Sequence, residues 1–258
     1  MSPAETIETD SRVSRLLTRA ARYKFLAAAF AYPEPSVLAE LSEGRWRDPA
    51  QDPERLRGAL AVFSAACAQA NLGSLQEEYS VLFDRQVRCS PYESSYGDGR
   101  RLAGKPAELA DIAGFYAAFG LELSRSHPEM PDHIAVELTF MSTLCLKEAY
   151  ALFHGLGEGR EVTREAQRGF IGAHLGRWVG AFAEGVEGAA QGAFFKAAAA
   201  LLREFVAEEC RTLGIVPSPL GRVVVTGEPD GIACPFVSAC EESSGVPGGE
   251  RVRRPLPT

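Results

Sequence analysis

Apolar residues in this chain recur at steps of three and four, segment after segment, and scarcely ever alternate. Val13, Leu16, Leu17, Ala20, Tyr23, Ala27 and Phe30 set the pattern, which is the mark of a helix with one buried stripe. No succession of strand, helix and strand interrupts it, so nothing supports a parallel sheet and an all-α bundle is expected. Proline and glycine punctuate the pattern. Pro33 and Pro35 end the first helix, at about residue 31. Ser36 is placed to cap a short helix to about Glu43, and Asp52 with Pro53 to start one reaching about Ala70. Ser74 and Glu77 read as a capping box, opening a helix with Leu75, Tyr79, Leu82 and Phe83 on one face.

A connection from about Gln86 to Lys105 follows, holding Pro91, Gly97, Gly99 and Gly104. Pro106 restarts helix and Gly120 offers a left-handed stop. Pro131 opens the next helix, which runs to about Phe153. Two further helices are expected over about Thr163–Val186 and Ala189–Leu213, stopped by Gly214 and Pro217. The chain thus divides into a single helical bundle, residues 1–214, and a proline- and glycine-rich tail, residues 215–258, that packs in part.

Acidic residues outnumber basic ones by 34 to 27 over 258 residues, a formal charge of −7. That balance argues against a general binder of nucleic-acid phosphates and allows a cationic partner. Six scattered cysteines do not make a disulfide framework, and reduced thiols in the cytoplasm are the expectation. The first ten residues carry acids and no basic, apolar leader, so no export signal is expected. The longest apolar run, Ile112 to Leu121, is about half the ~20 residues a membrane helix needs.

Two stretches carry candidate chemistry. In Met130–Met141, Pro131, Asp132 and His133 are expected in the first helical turn. There free N–H groups favour Asp132 and keep His133 neutral. Glu137 lies within or beside the stripe of Ile134, Leu138 and Met141, where a carboxylate needs a partner. The same residues also fit a plain helix start, with Asp132 as cap and Glu137 salt-bridged to a neighbour. The second stretch is the loop from Cys89 to Arg101, with Tyr92, Glu93, Ser94 and Tyr96. A loop this long in a compact helical domain is usually functional or disordered, and two tyrosines oppose simple disorder, leaving a binding loop or an ordered surface loop pegged by Tyr92 and Tyr96.

Glu77–Phe83 (EEYSVLF), the loop PYESSY and above all MPDHIAVELTFM resemble the motifs of the TorD/DmsD/NarJ group of redox-enzyme maturation chaperones. The resemblance spans about Leu16 to Leu213 and rests mainly on P-D-H-x-x-x-E-L-x-F-M. It implies an all-helical, non-enzymatic, cytoplasmic protein, monomer or homodimer. Such a protein binds the twin-arginine signal peptide of an apo-molybdoenzyme catalytic subunit and holds that client open for insertion of its molybdenum cofactor. Carried over by position, Asp132, His133 and Glu137 would belong to the signal-peptide region. Tyr92, Glu93, Ser94 and Tyr96 match the family's loop less specifically, and Tyr79, Leu82 and Phe83 would serve packing. A receptor for two arginines beside an apolar segment needs carboxylates next to an apolar groove.

Two rival readings compete with this one. Asp132, His133 and Glu137 could be the acid–base groups of a small all-α hydrolase, which would need a concave pocket. Alternatively, Cys234 and Cys240, five residues apart, could bind metal in the tail of a scaffold protein, although a C-x-x-C pair is absent. His127, His154 and His174 lack a shared ligand spacing, and His174 sits in the stripe of Ile171, Leu175 and Trp178 as a packed histidine. No phosphate-binding loop of the G-x-x-x-x-G-K-[ST] kind occurs. Neither a catalytic set, a resident metal nor a cofactor is assigned.

Overall fold

A computed structural model describes residues 3–44, 46–97, 105–123 and 129–221. Among these residues all regular structure is helical. The order is α1 (Pro3–Ala29), α2 (Pro35–Glu43), α3 (Arg57–Ala68), α4 (Leu72–Tyr79), α5 (Lys105–Ala118), α6 (Ile134–Phe153), α7 (Gly157–Ala173), α8 (Leu175–Ala189) and α9 (Ala193–Leu213). Short 3-10 turns at Pro49–Gln51, Glu54–Leu56 and Glu93–Ser95 and a π-helical turn at Ser80–Asp84 fill the connections. The expected all-α bundle is therefore present. No single helix among the described residues is long and apolar enough to cross a membrane.

The centre of the bundle is aromatic. Tyr23, Phe30, Phe63, Phe140, Phe170, Trp178, Phe182, Phe195 and Phe205 are all essentially removed from solvent. Rings meet edge-on or tilted, as in Tyr23–Phe205 at 4.7 Å and Phe140–Phe170 at 4.8 Å between centroids, the geometry the ring quadrupole favours. α1 lies along α6, where the Ser142 hydroxyl donates to the Ala20 carbonyl at 2.9 Å. α8 and α9 pair beside them.

Several helix boundaries depart from the sequence expectation. α2 starts on Pro35 with Glu34 before it, so Ser36 is not its cap. Asp52 does not open α3 but binds Arg22 at 2.6 Å and Arg47 at 3.3 Å. α4 is capped by Asn71, whose side chain accepts from the Ser74 N–H at 3.1 Å, so Ser74 and Glu77 form no capping box. α6 begins at Ile134, leaving Pro131, Asp132 and His133 ahead of it. The expected single helix over Thr163–Val186 is two, broken at His174 with φ −126° and ψ −99°. Gly120 and Gly214 do adopt the left-handed stop, at φ 71° and 65°.

Two glycines stand in close approach to other parts of the chain. A Cβ on Gly176 would lie 2.5 Å from the Ile171 carbonyl oxygen and 2.7 Å from Pro217, so α8 can leave the break tightly only without a side chain there. A Cβ on Gly192 would meet the Glu78 carboxylate at 2.6 Å. That carboxylate caps α9 from α4, accepting from the Gln191 and Gly192 N–H groups, as the orphan donors of a helix start demand. Beyond Gly214, the described residues continue to Gly221 against the start of α8, with Leu220 buried and its N–H on the Arg177 carbonyl. Cys234, Cys240 and His127 lie outside the described residues, as does the rest of the tail.

Candidate functional site

The loop and the start of α6 come together. Tyr92 and His133 form an isolated antiparallel bridge. The Glu93 N–H donates to the Asp132 carbonyl at 3.0 Å, and the Ile134 N–H to the Pro91 carbonyl at 2.9 Å. Asp132, buried, accepts from the Ser94 N–H through Oδ2 at 3.1 Å. It therefore caps the 3-10 turn of the loop rather than α6. The cap of α6 is His133, whose Nδ1 accepts from the Ala135 N–H at 3.1 Å. An accepting Nδ1 carries no proton, and burial, only partly offset by Glu129 and Asp132, holds His133 below the ordinary histidine pKa. The neutral histidine expected from sequence is thus reached by a different route.

Behind this seam lies a buried polar chain. His174 Nδ1 stands 3.2 Å from Glu93 Oε2, and its Nε2 3.2 Å from Asp111 Oδ2 on the surface of α5. Burial alone would lower the His174 pKa, but the hydrogen bond and charge of Glu93, then Asp111, raise it above the ordinary value. Trp178 Nε1 donates to Glu137 Oε2 at 3.2 Å. Glu93 and Glu137 are fully buried, and a protonated Glu137 carboxyl hydrogen-bonds to Glu93. Burial and the charge of Glu93 push the Glu137 carboxyl well above the usual range, against the opposing bond from Trp178. Two carboxyls so close cannot both ionise cheaply, and the neutral form of Glu137 is favoured. Tyr96 packs on Trp178 at 5.2 Å and donates to the Ser90 carbonyl at 2.8 Å.

The seven residues singled out by sequence therefore gather at one corner, but most face inward. Asp132, His133, Glu93, Glu137 and Tyr96 are buried, while Tyr92 and Ser94 are part-exposed. Tyr92 stacks edge-on against His133 at 5.3 Å and donates to Glu129 at 3.1 Å. Desolvation, then Glu129, pushes its hydroxyl up to about 12. Asp84 acts on the same ring from the end of the π-helical turn, and Tyr79 feels both acids. The lip of the corner is thus Tyr92, Glu129 and Asp84, with Met130 about half exposed beside Glu129. Asp84 and Glu129 escaped the sequence reading. The signal was their placement next to the two motifs, one residue after Phe83 and one before Met130.

A hydrolytic acid–base set is not assembled by Asp132, His133 and Glu137. Each is buried and spent on a different partner: the Ser94 N–H, the Ala135 N–H and the Trp178 indole. Among the described residues no three histidine, cysteine, aspartate or glutamate side chains stand together as metal ligands. Both ring nitrogens of His174 already face carboxylates.

Helical bundle, buried acid–histidine chain and acidic, aromatic lip together define an all-helical protein built around a loop-to-helix seam. Residues 49–184 match the family described as nitrate reductase delta subunit, and the chain belongs to that family, the TorD/NarJ group. The chain is 31% identical over 169 residues to a selenate reductase assembly chaperone protein of Thauera selenatis, 65% of this chain and 76% of that one. It is 29% identical over 168 residues to a chlorate reductase assembly chaperone protein of Ideonella dechloratans, with the same two coverages. A chaperone protein TorD of Vibrio cholerae serotype O1 matches at 31% over 137 residues, 52% of this chain and 60% of that one. These relatives are named as chaperones, two of them as reductase assembly chaperones, and not as catalysts.

Proposed function

We propose that this chain is a non-enzymatic assembly chaperone for a molybdoenzyme catalytic subunit, acting in the cytoplasm on the apo form before cofactor insertion and export. Its membership of a family whose relatives are named as reductase assembly chaperones carries the reading. The corner at the start of α6 is the receptor for the client's twin-arginine signal peptide. Glu129 and Asp84 at the lip take the guanidinium groups, Tyr92 offers its ring face to one of them, and exposed Met130 meets the apolar segment that follows. Asp132, His133 and Ser94 fix the loop against α6 so that the lip keeps its shape. Glu93 and Glu137 form a buried acidic floor beneath the lip, and their charge favours a cation above it. Tyr96 anchors the loop to Trp178.

Co-purification from the native host followed by mass spectrometry tests this function. A molybdoenzyme catalytic subunit is the expected dominant partner. A reproducible partner set with no such subunit contradicts the proposal.

A further inference from the structure

At a different part of the bundle, the net acidity of the chain is locally reversed. Arg12, Arg15 and Arg19 recur at steps of three and four along α1, and Arg160 and Arg164 lie one turn apart on α7. With Leu16, Glu148, Leu152 and Thr212 they line one cavity of about 170 Å³. Its carboxylate is already engaged. Glu148 accepts from Gln167 Nε2 at 2.7 Å and lies 3.9 Å from Arg19. Arg19 is itself held bidentately by Glu209, at 2.8 and 2.6 Å, and donates to Gln167.

The other four guanidiniums form no ion pair with a carboxylate among the described residues, and the one side-chain bond made by Arg15 goes to the Ser11 hydroxyl. Arg12, Arg160 and Arg164 are only part-exposed, and Arg160 Nε is buried without a hydrogen-bond partner. Four unneutralised cations crowded round one cavity repel one another, and a buried guanidinium nitrogen left unbonded is costly. A dense anion relieves both costs at once.

We propose that this arginine-lined cleft is a binding site for a compact multivalent oxyanion of the phosphate class, diphosphate being the best match. Guanidinium forks suit phosphate oxygens, and the hydroxyl of Thr212 supplies a further donor at the rim. The cavity is smaller than the ~300–1,000 Å³ of drug-sized ligands, so it takes a small ion or the diphosphate end of a larger molecule. Charges converging on one hollow favour such a ligand over an acidic peptide, whose carboxylates are spread along an extended chain. The site lies on α1, α6, α7 and α9 and involves none of the residues of the α6 corner.

Titration calorimetry of the full chain with sodium diphosphate, at low and at high salt, tests the site. Saturable one-to-one binding that weakens with salt is expected. Arg160→Ala/Arg164→Ala should weaken it at least tenfold with helical circular dichroism retained. Arg15→Glu, at an exposed position, serves the same purpose without risk to the core. Nucleoside diphosphate distinguishes the source: equal affinity assigns the site to the free ion, tighter binding to a larger ligand. Absence of saturable diphosphate binding, affinity unchanged in these variants, or binding of a polyglutamate peptide in its place would overturn the proposal.

Discussion

Two buried polar clusters hold this bundle, and they are built on opposite principles. Around Glu209 the carboxylate has its full counter-ion. Arg19 meets the carboxylate with two nitrogens, Tyr23 donates to it at 3.0 Å, and Gln167 links Arg19 to Glu148. Around Glu93 the carboxyl groups outnumber theirs. Glu93, Glu137 and Asp132 are buried with Asp111 just outside, and His174 is the imidazole set against them. The first arrangement fixes helices, since a bidentate pair with every oxygen bonded has little to gain by rearranging. The second keeps an excess of buried acid against one imidazole.

The contrast breaks most visibly at Arg19. Arg19→Ala leaves Glu209 buried and unpaired and should destabilise the fold by about 3–5 kcal/mol, measured by denaturant unfolding. Glu209→Ala should cost a similar amount, for the converse reason. His174→Ala comes next, at about 1–3 kcal/mol at mildly acidic pH, because Glu93 loses its donor.

The pH dependence of this cluster has a definite sign. The folded pKa of His174 is raised, so its stabilisation is full below the unfolded value of about 6.5 and is lost as pH rises through the folded value. That of Glu137 is raised too. Folding then holds its proton where the unfolded chain has released it, so stability falls as pH climbs from about 4.3 through the folded value. Both groups loosen the corner in the same direction. Glu137→Gln, which fixes the neutral form, should remove its share of the decline and leave acid stability nearly unchanged, as chemical denaturation across pH would reveal. The smallest effect is expected for Tyr92→Phe, at most about 1 kcal/mol, since it deletes one bond to exposed Glu129.

The all-helical architecture was legible because apolar spacing reports burial directly, and its endpoints at Gly120 and Gly214 because only a residue without Cβ takes that conformation freely. The break at His174 was not legible. Ile171, Leu175, Trp178 and Phe182 stay in helical register across it, so the stripe conceals a fault that Pro217 packing on Gly176 accompanies. Caps were misread wherever two polar residues competed. Asn71 stands three residues before Ser74, and His133 caps α6 with a ring nitrogen, an uncommon device that propensity does not foresee. At the corner, the motifs identified which residues gather. Their inward orientation depends on partners far along the chain, Glu93 meeting His174 across 81 positions, which no local pattern records.

The central claim is that the corner at the start of α6 reads an arginine pair. Calorimetry with a twin-arginine signal peptide of the client and the same peptide carrying two lysines tests it most directly. The arginine peptide should bind the wild-type chain, and the lysine peptide should bind at least about tenfold more weakly, because an ammonium cannot make the bidentate contact. Glu129→Gln and Asp132→Ala should each weaken the arginine peptide while helical content is kept. Equal affinity for both peptides, undiminished in these variants, would contradict the account.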